Sequence, residues 1–206
     1  ILCIKERIRL EVEKKGIRPF MLALEEEYKG DAASLSGGVT RCHDIAHSIG
    51  QIGAKGENLN ESLLGCTQIC TSGCYHGVVE GFVAKGGELR SNINGLCKVE
   101  DSSLVSASAC FHGLGHGIAD INGYDLKKSL LACDLISQQA ARKNCAYGVI
   151  MEIYEPSSFA HPLGEFPPDI PRFCQSLWGV YIDACNETAG VHEYGRAKDE
   201  DSAIEV

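Results

Sequence analysis

The 206-residue sequence predicts an all-α fold of helical-hairpin repeats. Three observations carry that prediction: one short motif occurs four times, its copies stand one hairpin apart, and amphipathic segments fill the intervals. The copies are Arg41-Cys42-His43-Asp44-Ile45-Ala46-His47, Cys74-Tyr75-His76-Gly77-Val78-Val79-Glu80-Gly81, Cys110-Phe111-His112-Gly113-Leu114-Gly115-His116-Gly117 and Cys145-Ala146-Tyr147-Gly148-Val149-Ile150-Met151-Glu152. Aligned on the first polar position they read His43, His76, His112 and Tyr147. Four residues later they read His47, Glu80, His116 and Met151. Residues four apart share one face of a helix. The first positions are separated by 33, 36 and 35 residues. A period of 33–36 residues belongs to α/α hairpins whose neighbours stack to bury a shared core. Four or five such hairpins curving about a centre give a small toroid or a curved solenoid.

Residues 1–38 form an N-terminal helical cap. Ile4, Ile8 and Val12 recur at helical spacing, and after Gly16 a second helix opens at Pro19 and runs through Leu22, Leu24 and Tyr28. Gly30, Asp31, Gly37 and Gly38 mark a loop. The four motif repeats occupy residues 39–154. Within them Asn60-Glu61-Ser62-Leu63-Leu64 opens an intervening helix, Asp101-Ser102-Ser103 caps the helix carrying His112, and Tyr124 to Cys133 is amphipathic. Strand signals are thin. The motif helices hold Gly77, Gly81, Gly113, Gly115, Gly117 and Gly148, each costing about 1 kcal/mol relative to alanine in a helix. Close approach of helices, or of backbone to a bound group, offsets that cost. The motif helices therefore belong inside, with their polar pairs converging, and the amphipathic helices outside. The rival local reading breaks the motifs into glycine-rich loops. Residues 155–171 hold five of the six prolines and read as a long loop. Residues 172–206 read as a degenerate last hairpin, with Glu187 and Val191 at the ligand positions, followed by a solvated acidic tail over Lys198 to Ser202. The whole is expected to be one domain, residues 1–206.

Eleven cysteines are patterned. Cys97 precedes Cys110, Cys133 precedes Cys145, and Cys174 precedes Cys185 by 13, 12 and 11 residues, which predicts a disulfide across each hairpin. Cys66, Cys70 and Cys74 supply further candidates, and Cys3 is the expected odd one. Disulfides of this density point to an extracytoplasmic location: secreted, periplasmic or cell-surface. The sequons at Asn60 and Asn186 are compatible with it. The counter-reading is a cytosolic protein with buried or metal-bound thiols. The chain opens mid-pattern at Ile1-Leu2-Cys3-Ile4 without a signal-peptide pattern, as a mature form or an excised domain would. A net charge of -9 argues against nucleic acid as a partner. No apolar run is long enough to span a membrane. A small-molecule substrate is compatible with the pattern.

Five of the seven histidines fall in the motif. Imidazole pairs at i and i+4 lie close enough to share one ion. The expected metal ligands are His43, His47, His76, Glu80, His112 and His116, with Met151 and Glu152 as further donors. Glu80 and Tyr147 are the candidate catalytic residues, and Asp44 could orient a ligand. So many donors suit a dinuclear centre, or one ion with acid–base residues beside it. Iron or copper is favoured and zinc is admissible. The leading expectation is a mono- or dinuclear Fe/Cu oxidoreductase. The alternatives are a zinc-dependent hydrolase or lyase with Glu80 as general base, a non-catalytic metal carrier, and a disulfide-braced interaction scaffold whose histidines only pack. His161 and His192 lie outside the pattern and read as surface residues. Cys74-Tyr75-His76-Gly77 and Cys145-Ala146-Tyr147-Gly148 resemble, over a few residues each, the zinc segments of lanthionine cyclases, which are α/α toroids. The tryptophan of those segments is missing here and the extra histidines have no counterpart there, so the cyclase function is not carried over.

Overall fold

Helix-forming runs punctuated by glycine, proline and cysteine-tied turns make up most of the chain. A computed structural model describes residues 2–28, 38–54, 59–67, 69–70, 73–86, 93–97, 107–154 and 165–204. The described residues contain ten helices and no strand. They are α1 (Leu2–Lys15), α2 (Ile17–Tyr28), α3 (Gly38–Gly53), α4 (Leu59–Leu63), α5 (Gly73–Ala84), α6 (Ala107–Ile121), α7 (Leu126–Cys133), α8 (Gln139–Tyr154), α9 (Ile170–Gln175) and α10 (Val180–Ile204).

The four motif copies lie on α3, α5, α6 and α8, so the motifs are helical and not glycine-rich loops. These helices pack in chain order: α3 on α5, α5 on α6, α6 on α8, and α8 on α10. Helices α1 and α2 pack on α3 at one end of the row. Tyr75, Leu114, Leu130, Ile150 and Tyr181 are fully buried, and Met21 and Leu63 extend the same core toward the N-terminal helices.

The glycines set the helix spacing. A Cβ at Gly77 would collide with the His47 carbonyl oxygen on α3, and one at Gly148 would collide with the His112 carbonyl oxygen on α6. Gly50 and Gly115 return the same contact, against the carbonyls of Cys74 and Cys145. Backbone therefore lies on backbone between α3 and α5 and between α6 and α8. This is the gain that offsets the poor helix propensity of glycine.

Five disulfides brace the helices. Cys97–Cys110, Cys133–Cys145 and Cys174–Cys185 are those the spacing predicts. Cys66–Cys74 and Cys42–Cys70 complete the set, the latter joining cysteines 28 residues apart. The side chain of Cys3 lies outside the described residues. Five disulfides are stable in an oxidising compartment.

Several expectations need correction or fall outside view. The segment opened by Asn60 is only the five-residue α4. Between α5 and α6, residues 93–97 form turns where an outer helix was expected; Asn94 and Gly95 in that segment favour turns over helix. The expected solvated acidic tail lies within α10, which continues to Ile204. The expected cap at Asp101-Ser102-Ser103 and the loop residue His161 lie outside the described residues, and α6 begins at Ala107. Helix α7 starts as expected: the Asp125 side chain accepts the Lys128 N–H at 3.0 Å.

Candidate metal centre

The i, i+4 spacing puts both polar residues of each motif on one helix face, and the close glycine packing brings those faces together. His76 of α5 and His112 and His116 of α6 converge, with one ligand atom from each lying within 4.8 Å of the others. The Nε2 atoms of His112 and His116 are 2.9 Å apart. The His76 ring stacks on His112 at 4.4 Å and lies 5.4 Å from His116. His76 and His116 are buried, and His76 Nδ1 is buried with no hydrogen-bond partner among the described residues. An orphaned imidazole nitrogen is costly unless something binds it, and its place in a three-histidine group fits a metal ion.

Helix α8 supplies the support. His116 Nδ1 donates to Glu152 Oε2 at 2.6 Å across the buried α6–α8 interface. That bond fixes the ring orientation and leaves Nε2 as the ligating atom, as carboxylates commonly do for metal-bound histidine. Tyr147 lies beside His112, ring centroids 5.1 Å apart. Met151 is half-buried, one residue before Glu152, which makes the helix's contact with His116.

Helix α3 brings the remaining pair to the flank. His47 Nε2 lies 2.9 Å from Glu80 Oε2, and Gln51 Nε2 donates to Glu80 Oε1 at 2.7 Å. The ring of His47 meets that of His116 edge-on at 6.3 Å. His43 lies 5.4 Å from His76, and its Nδ1 is 3.1 Å from the Cys70 carbonyl oxygen, whose residue is disulfide-bonded to Cys42. Among the described residues the three-donor group is His76, His112 and His116; His43, His47, Glu80 and Glu152 surround it.

The packing register explains that division. Gly77 abuts His47 and Gly148 abuts His112, so His47, not His43, occupies on α3 the place of His112 on α6. By the same register Gln51 stands where His116 does. The motif alignment is thus one helical turn out of step with the packing at its first copy. Sequence reading passed over Gln51, although its place four residues after His47 on the same face was available as a signal.

Electrostatics prepare the group for a cation. Burial pushes the pKa values of His76 and His112 well below the ordinary histidine value, and the neighbouring imidazoles push in the same direction. His43 is lowered by burial and by His47. For His47 burial acts downward, but the hydrogen bond and charge of Glu80, with Glu152 and Asp44 behind it, hold it above the ordinary value. His76 and His112 are therefore neutral at neutral pH, the state a metal requires.

No protein-family model, curated protein or solved structure matches the chain. The findings define a disulfide-braced protein whose described residues form helices and no strand, with a three-histidine group, two of its members buried, that could hold a metal ion.

Proposed function

We propose that the chain is a single metal-binding α/α repeat domain, whose ion is held by His76, His112 and His116. The observation that carries the reading is the convergence of three imidazole donors from two helices, one of them oriented by a buried carboxylate. Two tetrahedral imidazole donors at zinc-type bond lengths stand about 3.3 Å apart. The 2.9 Å between His112 and His116 needs only a small opening to admit an ion.

Three protein ligands leave a coordination position open, which is the arrangement of a reactive rather than a purely structural site. The site faces Tyr147 and the His47–Glu80 pair. Glu80 is engaged through both oxygens, by the Gln51 amide and by the His47 ring, which works against its role as the free general base of a hydrolase. We therefore place oxidation–reduction on iron or copper first. A zinc-dependent hydrolase or lyase is the second reading, favoured by the count of three imidazoles. The mirrored backbone contacts of α3 with α5 and of α6 with α8 support the repeat reading, with residues 39–154 as its body and a curved solenoid or toroid as its form. The five disulfides support an extracytoplasmic site of action.

The test is elemental analysis of protein purified without a histidine tag or chelator, with His112→Ala/His116→Ala alongside. About one equivalent of metal, lost in the double variant, is expected. Iron or copper with a paramagnetic signal sustains the redox reading, and zinc replaces it with the second. No metal in either protein after reconstitution removes the metal site and leaves a disulfide-braced scaffold.

A further inference from the structure

A cavity of about 240 Å³ opens where the α7–α8 turn meets the α9–α10 turn. It is separate from the metal centre: Arg142, which lines it, precedes Glu152 on α8 by ten residues, or about 15 Å of helix. Disulfides brace both of its sides. Cys133 directly precedes the lining residue Asp134 and is bonded to Cys145, while Cys174, shortly before Trp178, is bonded to Cys185. The walls are therefore set before any ligand arrives, which lowers the ordering cost of binding.

The walls carry both signs of charge and one aromatic face. Asp134 is committed: its Oδ1 accepts the Tyr181 hydroxyl at 2.6 Å and its Oδ2 lies 3.4 Å from Trp178 Nε1. Arg142 is loosely paired, with Nη1 4.0 Å from Asp134 Oδ1 and a side chain one-third accessible (33%). Its Nε is buried without a hydrogen-bond partner among the described residues, so the guanidinium is not locked in a two-pronged carboxylate pair. Asp183 lines the same cavity and is exposed. Trp178 is 38% exposed, and its ring is held edge-on to Tyr181 at 5.2 Å.

We propose that this cavity binds a small zwitterion of the free amino-acid class. The ligand carboxylate pairs with the accessible edge of Arg142, its ammonium with Asp183, and its apolar body lies on Trp178. An under-used guanidinium suits a carboxylate, and an exposed indole beside a carboxylate suits an ammonium or an apolar group next to it. The volume admits an amino acid and is below that of drug-sized pockets.

Trp178 is the chain's one tryptophan, so intrinsic fluorescence reads the cavity directly. The oxidised 206-residue chain is titrated with L-leucine, with isoamylamine (the ammonium alone) and with isocaproate (the carboxylate alone). The expected result is a saturable change with leucine, and binding at least about tenfold weaker for either single-charge analogue. Asp183→Asn and Arg142→Gln should each weaken leucine binding by a similar factor, with Arg142→Lys recovering part of it. Circular dichroism confirms folding. If an Arg142 variant is misfolded, Asp183→Asn decides the matter, because its side chain is exposed. The proposal is overturned if no compound gives a saturable change up to roughly 10 mM. It is equally overturned if either isoamylamine or isocaproate binds as tightly as leucine, or if Asp183→Asn leaves leucine binding unchanged.

Discussion

Replacing Gly148 by alanine should destabilise the protein, although alanine is the better helix former. On α8 the new Cβ would collide with the His112 carbonyl oxygen, 3.0 Å from the His112 carbonyl carbon and 3.2 Å from the Gly115 Cα. All three are backbone atoms of α6, so no side-chain rotation relieves the contact and the helices must separate. Overpacking of this kind costs about 3 kcal/mol. The propensity gain returns about 1 kcal/mol. The net loss is then about 2 kcal/mol, or roughly 4–8 °C in the thermal midpoint of a chain this size. Gly190→Ala is the matched control: Gly190 lies inside α10, is exposed, and has nothing within 4 Å of an added Cβ. Only the propensity gain remains there, so that variant should be stabilised by about 1 kcal/mol. Thermal unfolding by circular dichroism, with the disulfides left oxidised, reads both. Because Gly148 lies against the His112 backbone, its alanine variant should also bind metal more weakly. Gly148→Ala as stable as wild type, or both variants shifting in one direction, would refute the argument that backbone contact demands glycine between α6 and α8.

Glu152→Gln keeps the size of the side chain but weakens its hold on His116 Nδ1; metal affinity measured by competition with a chelator should fall about 10–100-fold. The metal-free protein should lose stability on acidification. His43, His76 and His112 are held neutral when folded, so below about pH 6.5 the unfolded chain binds more protons and the folded state is disfavoured. His47 acts in the opposite sense, contributing stability at low pH that is lost as pH rises through its raised value, but it is one group against three. Urea midpoints measured from about pH 7.5 down to about 5.5 should therefore fall, and a rise would contradict the burial of those imidazoles. Cys133→Ala/Cys145→Ala opens a loop of sequence separation 12 and should cost about 3 kcal/mol, read as a lower thermal midpoint.

The helical character, the motif faces and three of the five disulfides were legible in the sequence, because each depends on short-range geometry. Residues four apart must share a helix face, and cysteines 11–13 residues apart across a turn can reach one another. The Cys42–Cys70 bond was not legible, since a separation of 28 residues fixes no distance until α3 and the segment before α5 are packed. The division of roles among the motif residues was also hidden. His43, His47, His76, Glu80, His112, His116 and Glu152 look alike as donors along the chain, but only the interhelical register sorts them. Glycine contacts, not the histidines, set that register: they align His47 with His112, leave Gln51 opposite Glu80, and put Glu152 against His116. Sequence by itself determined that imidazoles lie on one face of three of the four motif helices. Tertiary structure alone decided which three of them meet, because Gly113 of α6 lies against the His76 Cα and the Tyr75 carbonyl oxygen of α5, and so close a backbone contact leaves those two helices a single depth and a single turn at which to pack.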